Sequence, residues 1–307
     1  MYALNFQNPW IAGVDGSRRR IPAWAALAIA TVIPAAAIVA GAALTPLLGD
    51  LTRNGLAVFT ILNLVVFGVM WGAAWAAGAI EARQVWRAGD KAPLAVAAGL
   101  AVGAVGIGVA VAGSAAAGGV ALAARADGAA AGGILAGFLV IAFQAGGEEA
   151  LFRGWLQPLL GARWGPWLGL AATSLLFAAL HLVGSGRSLL TLVNLLLAGA
   201  AFGLMALRTG GLWAPAAAHL GWNWTEASVL GLVPNPGVGP TGAFFDFDCV
   251  GRGIWSGGAD AMNGALTTTG VLLVMTAALA AWPVRRVTSA SLSDSVRPAE
   301  RRSDPVL

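Results

Sequence analysis

Apolar residues in this chain run in long blocks rather than in the short stripes of a soluble helix or strand. A helix needs ~20 apolar residues to cross the hydrocarbon of a bilayer. Eight blocks meet that need: residues 22–48, 56–80, 93–115, 130–158, 165–183, 189–207, 212–233 and 264–284. Three of them exceed it, which implies tilt or extension beyond the bilayer. Polar and turn-forming residues mark the joints, among them Gly49-Asp50, the stretch from Glu81 to Lys91, Arg163 to Pro166 and Arg208 to Gly211. The pattern predicts an all-α polytopic membrane protein of about eight transmembrane helices. It divides into a polar N-terminal segment (1–21), a helical domain (22–286) and a Ser-, Arg- and Pro-rich tail (287–307) that reads as disordered. The first block is too long for a signal-peptide core and is read as a span.

Composition agrees: 58% of the 307 residues are apolar and 10% charged, against about 25% charged in soluble domains. The 43 glycines suit close helix packing, and Gly99 and Gly103 form one small-xxx-small step. A net charge of +4 does not call for nucleic acid, because the basic residues gather at block ends. The partner they imply is the lipid bilayer. With both termini in the cytoplasm, 14 of the 18 basic residues fall inside, and Arg53, Arg125, Arg187 and Arg252 fall outside. That asymmetry sets the expected orientation, and the Ala- and Gly-rich composition points to a bacterial cell membrane. The 13 tryptophans concentrate near block ends, as interface anchors do. The outer loop over 234–263, with Phe244-Phe245-Asp246-Phe247-Asp248, is expected to lie partly in the interface. Its G-x-G-x-x-G at 237–242 follows no strand and reads as a turn-rich loop. The single Cys249 excludes an intrachain disulfide and a multi-cysteine metal cage.

The picture changes where ionisable residues interrupt the apolar blocks. Gly-Gly-Glu-Glu-Ala-Leu-Phe-Arg-Gly at 146–154 places two adjacent carboxylates in hydrocarbon. Each costs roughly 2.5–3.5 kcal/mol there even on lenient insertion scales. Both histidines of the chain, His181 and His219, also fall inside blocks. Glu149 and Arg153 stand four residues apart and can pair on one helical face, with the arginine still partly solvated near the cytoplasmic end. Glu148 is then turned about 100° away and is free to act as the working carboxylate. His219, Asn223 and Glu226 form one stripe at i, i+4 and i+7, and Phe177 sits one turn before His181, where it can wall off the imidazole. A carboxylate facing two imidazoles and an amide has the parts for hydrolysis. Glu148 takes a proton from water, the histidines orient that water directly or through a metal, and Asn223 or a histidine donates to the oxyanion.

Glu148-Glu149-x-x-x-Arg153, Phe177-x-x-x-His181 and His219-x-x-x-Asn223, on successive spans in this order, resemble the CPBP family of CAAX proteases and bacteriocin-processing enzymes, also called Abi. The text Glu-Glu-x-x-Phe-Arg-Gly at 148–154 and Trp-x-x-x-x-x-His-x-x-x-Asn at 213–223 is similar to that family's too, and the resemblance covers roughly 130–235. It implies an intramembrane endopeptidase with a helical fold, a cavity open towards the cytoplasm, and a peptide or protein substrate in or at the membrane. Glu148 would match the family's water-activating glutamate, His181 and His219 its essential partners, and Asn223 its oxyanion or ligand residue. Glu149 and Arg153 would be the supporting ion pair, and Glu226 lies outside the pattern with no role. A divalent metal such as Zn²⁺ is a possible cofactor, with Glu148, His181, His219 and Asn223 as candidate ligands, although the HExxH spacing of zincins is absent.

Two other classes stand beside the hydrolase: a non-catalytic scaffold held together by these polar groups, and a proton-coupled transporter using them as a relay. No internal repeat supports the transporter. Counting residues along straight spans puts His219 shallow on the cytoplasmic side and His181 near the far end of a short span. The two meet only if spans tilt or their edges shift.

Overall fold

Long apolar blocks become helices because hydrocarbon offers no partner for a free backbone N–H or C=O. The computed structural model describes residues 1–15, 21–89, 91–125, 131–184 and 188–283. Among them seven helical stretches are long and apolar enough to cross a membrane. They are α2 (Ala23–Leu51), α3 (Gly55–Ile80), α4 (Ala92–Ala116), a composite stretch over Ala131–Trp164, α7 (Pro166–Gly184), α8 (Leu189–Thr209) and a last one ending in α11 (Leu266–Ala281). Local chemistry sets several ends. Asn54 and Ser188 cap α3 and α8 by accepting from Ala57 N and Thr191 N, each at 3.1 Å. Gly210, in the left-handed region at φ 67°, stops α8.

The composite stretch is the axis of the molecule. It comprises α5 (Ala131–Glu149), a π-helical segment (Ala150–Leu156) and α6 (Gln157–Trp164). It is the most buried of the seven, whereas α3 is the least. Leu151, Trp155, Leu156, Leu159 and Leu160 are wholly enclosed and form the main core with α2, α3 and α7. On α5, by contrast, Leu135 and Leu139 turn outward.

The seventh expected span, 212–233, is not among the stretches long and apolar enough to cross. It is a short helix, α9 (Trp213–Trp224), continued by a second π segment (Thr225–Val229), and Gly231 in the left-handed region follows it. Its sequence carries His219, Asn223, Thr225 and Glu226, too many polar groups for a lipid-facing rod, and it lies inside the bundle against α4, α5 and α8. Glycines make that possible. A Cβ at Gly99 or Gly103 of α4 would collide with the carbonyls of Ala214 and Ala218, and one at Gly221 with the Leu100 carbonyl.

Two further features depart from the expected plan. Residues 120–125, between two expected spans, and 245–249, in the expected interfacial loop, pair as an antiparallel ribbon of β1 (Val120–Arg125) and β2 (Phe245–Cys249), with Val120 opposite Cys249 and Leu122 opposite Phe247. The N-terminal segment is not uniformly polar and free. Residues Pro9–Asp15 form α1, which buries Trp10, Ile11 and Val14 against α6 and α8. A short α10 (Gly253–Ser256) precedes α11. The tail expected over 287–307 and the Arg18-Arg19-Arg20 run lie outside the described residues.

Candidate active site

The site begins where α3 can approach α5. Gly146 and Gly147 offer no Cβ, and one there would press on the Trp71 ring and the Phe67 carbonyl. The next two residues are Glu148 and Glu149, both buried, and the π segment follows at once. A π turn carries an extra residue, so it changes the direction in which the following side chains leave the helix; such turns concentrate at functional sites.

Glu149 and Arg153 pair at 2.7 Å, and neither side chain reaches solvent. The arginine is therefore fully enclosed rather than partly solvated as its sequence position suggested. Protein groups replace the missing water. Arg153 Nη2 donates to the Gly199 carbonyl at 3.2 Å, and the guanidinium lies 4.4 Å from the Phe177 ring centre. Removing either partner of such a pair would leave an uncompensated buried charge.

Glu149 Oε1 also lies 3.0 Å from Nδ1 of His219. An ionised carboxylate only accepts, so Nδ1 carries a proton here, and in the neutral tautomer Nε2 holds the lone pair. That Nε2 is 3.8 Å from Glu148 Oε2, too far for a hydrogen bond. Phe202 stacks on the imidazole at 5.0 Å and 21°, which fixes the ring plane. His181 follows the same logic. Its Nδ1 is 2.8 Å from the Phe177 carbonyl, another pure acceptor, so Nδ1 is the donor and Nε2 is the nitrogen left to face the cavity side. The Phe177 ring sits 4.7 Å from the His181 ring and 6.2 Å from the His219 ring, between the two.

These groups surround a cavity of about 300 Å³ whose wall includes Glu148, His181, His219 and Asn223. The two histidines thus share one space despite the depth expected from counting. Glu149 and Arg153 stand behind the wall. A second cavity of about 200 Å³ adjoins, with Pro34, Ile38, Phe67, Met70 and Leu180 on its wall, and it shares Gln144, Glu148, Phe177 and His181 with the first. Glu148 therefore sits where a polar chamber meets an apolar one. Its Oε2 is buried and has no hydrogen-bond partner.

Among the described residues no three His, Cys, Asp or Glu side chains are grouped closely enough to hold a metal ion. The four candidate ligands line one cavity, with His219 Nε2 3.8 Å from Glu148 Oε2.

Several residues that sequence reasoning passed over belong to the surroundings. Gln144, one turn before Glu148, lines both cavities, and its spacing could have revealed it. Glu226, given no role, lines the larger one. Glu81, placed in a cytoplasmic stretch, is wholly buried and accepts from Arg83 at 3.1 Å and from Trp155 Nε1 at 3.2 Å. Burial pushes the Arg83 guanidinium below its usual pKa, and the Glu81 charge opposes that shift. Arg83 also donates to the Gly154 and Trp155 carbonyls, and Trp10 Nε1 donates to that of Arg153 at 2.8 Å. Side chains from two separate segments thus engage backbone carbonyls of the π segment.

Comparison with known proteins bears on the same region. Residues 130–225 match the family model of type II CAAX prenyl endopeptidases, described as Rce1-like. This is the CAAX protease family that the three motifs resemble, and the match holds all six residues of those motifs that were assigned roles. An uncharacterized 24.3 kDa protein of Escherichia coli is 41% identical over 88 residues, which are 28% of this chain and 37% of that relative. The chain thus spans little more than a third of that relative's length. No solved structure matches the chain.

Proposed function

We propose that this chain, an integral membrane protein whose residues 130–225 carry a type II CAAX prenyl endopeptidase-like region, is an intramembrane endopeptidase that cuts a peptide bond with water activated by Glu148. One observation carries the reading. A buried carboxylate oxygen without a partner faces a water-sized space beside Nε2 of His219. An acceptor left unsatisfied in hydrocarbon is costly, and a substrate water is the partner it lacks.

The steps follow from the side chains. Glu148 takes one proton from the water while His219 Nε2 holds the other, and the water oxygen attacks the scissile carbonyl carbon. Negative charge gathers on the former carbonyl oxygen, where the Asn223 amide donates. The carbon–nitrogen bond then breaks, and Glu148 returns its proton to the leaving nitrogen, giving a carboxylate and an amine. His181 Nε2 orients the water or the substrate from the opposite side. The Glu149–Arg153 pair holds His219 in the tautomer this requires. No step is assigned to a metal.

The substrate is a peptide or protein segment in or at the membrane. The apolar chamber next to Glu148 suits an apolar side chain or a lipid substituent on one side of the cut. The charge asymmetry of the loops supports a cytoplasmic location for both termini. Membranes from cells carrying the wild type or Glu148→Ala should be compared by proteomics. An uncut precursor that accumulates only with the variant is the expected result. Identical peptide populations, with the variant merely less stable, would instead favour a scaffold.

A further inference from the structure

Glu226 is a second buried carboxylate on the wall of the larger cavity, three residues beyond Asn223 and just past the family-like region. It is 5% exposed. It takes a hydrogen bond from Trp222, but its Oε1 has no partner. No cation pairs with it among the described residues, whereas Glu149 has Arg153 and Glu81 has Arg83. A second unsatisfied group shares the same wall: the hydroxyl of Thr268 on α11, 1% exposed, also without a partner. The neighbouring amide of Asn194 is already engaged, donating to the Asn263 and Ala265 carbonyls and accepting from Thr269. Two acceptors thus stand idle in one enclosed space that contains no lysine or arginine. A buried carboxylate with no counter-charge is one of the more expensive arrangements in a protein. A ligand that brings several N–H donors and a positive charge would relieve it.

We infer that Glu226, together with Thr268, binds the basic side chain of a substrate peptide, a lysine ammonium or an arginine guanidinium, and so selects which peptide reaches Glu148. This rests on the reading of the cavity as a peptide-cleaving site. It adds a polar, cationic requirement to the apolar one set by the adjoining chamber.

The test uses the full-length protein in detergent or liposomes and two fluorescently labelled peptides, acetyl-Leu-Leu-Lys-Leu-Leu-amide and the same peptide with norleucine for lysine. Cleavage is followed in the wild type, Glu226→Gln and Thr268→Val. Binding of the two peptides is measured by anisotropy in the Glu148→Gln background, with and without Glu226→Gln. The wild type should prefer the lysine peptide, and Glu226→Gln should reduce the ratio of the two kcat/KM values about tenfold. Thr268→Val should reduce it by a smaller factor. Melting temperatures separate this from unfolding, since a purely structural Glu226 would lower Tm and leave the ratio alone. If no peptide is cut but the lysine peptide binds in a Glu226-dependent way, the inference holds and the hydrolase reading fails. Cleavage without a lysine preference, or a preference unchanged in Glu226→Gln, overturns the inference and leaves the hydrolase intact. Absence of any Glu226-dependent binding or cleavage also overturns it.

Discussion

Arg153 and His219 converge on a single atom: Oε1 of Glu149 lies 2.7 Å from Arg153 Nη1 and 3.0 Å from His219 Nδ1. One carboxylate oxygen therefore neutralises the arginine and fixes which nitrogen of the histidine carries the proton. Glu149→Gln keeps the shape but removes the charge, so turnover should fall about 10–100-fold, the usual cost of losing such an orienting partner. Glu149→Ala should also lower stability by about 3–5 kcal/mol, because Arg153 is left unpaired in the interior. Melting curves read beside turnover separate the two effects.

Glu148 has no such structural tie. Glu148→Gln should abolish cleavage, a loss of at least about 10²–10⁴-fold, while the melting temperature stays near that of the wild type. A single-turnover assay in liposomes checks this. His219→Ala should lose both activity and stability, since it vacates the space between Phe202 and Glu149.

Arg153→Lys should not rescue the arginine. An ammonium cannot reach Glu149 and the Gly199 carbonyl as a planar fork while lying on the Phe177 face. The variant should melt well below the wild type, with activity lost in parallel, as differential scanning fluorimetry and a cleavage assay on the same sample would show.

The close approach of α4 and α9 supplies a remote test. Gly103→Leu drives a side chain into the Ala218 backbone, next to His219, and should cost about 1–3 kcal/mol and displace the imidazole. Gly72→Ala meets nothing within 4 Å and should be silent. Turnover and Tm of the two variants give the comparison.

Cys249, the sole cysteine, lies on β2 outside the spans. Burial, then the charges of Glu226 and Asp248, push its thiol up to about 11. The thiolate is the reactive form, so labelling by a membrane-impermeant maleimide should be slow at neutral pH. It should rise about tenfold per pH unit through pH 9–10, without the levelling an ordinary thiol shows near 8.5. In right-side-out cells, labelling without permeabilisation also reports whether this loop is external.

The apolar blocks and the i, i+4 pairing of Glu149 with Arg153 were legible in the sequence because both follow from fixed periods. The common stripe of His219, Asn223 and Glu226 was legible for the same reason, since all three line one cavity. What periodicity cannot display is a change of period, so neither π segment was foreseen. The interior placement of α9 depended on glycines at 99, 103 and 221 meeting across more than a hundred residues of chain. The β1–β2 ribbon joins residues equally far apart, and its strands are too short and too Ala- or Gly-flanked to announce themselves. Glu81 and Arg153 looked solvated because groups that enclose them, Trp155 beside Glu81 and the Phe177 face beside Arg153, come from other elements.

The π segment over Ala150–Leu156 makes the length of the chain itself part of the catalytic design. A π turn absorbs one residue more than regular α geometry allows, and an α-helix advances about 100° per residue, so forcing this segment into α geometry at its present length would swing all that follows by about that angle. Trp155 would leave Glu81, and Gln157 would leave the Gly203 carbonyl it holds at 2.9 Å. Surface loops commonly tolerate changes in length. Here the loss of one irregular turn, with no residue removed, would dismantle the centre while leaving every functional group present in the sequence.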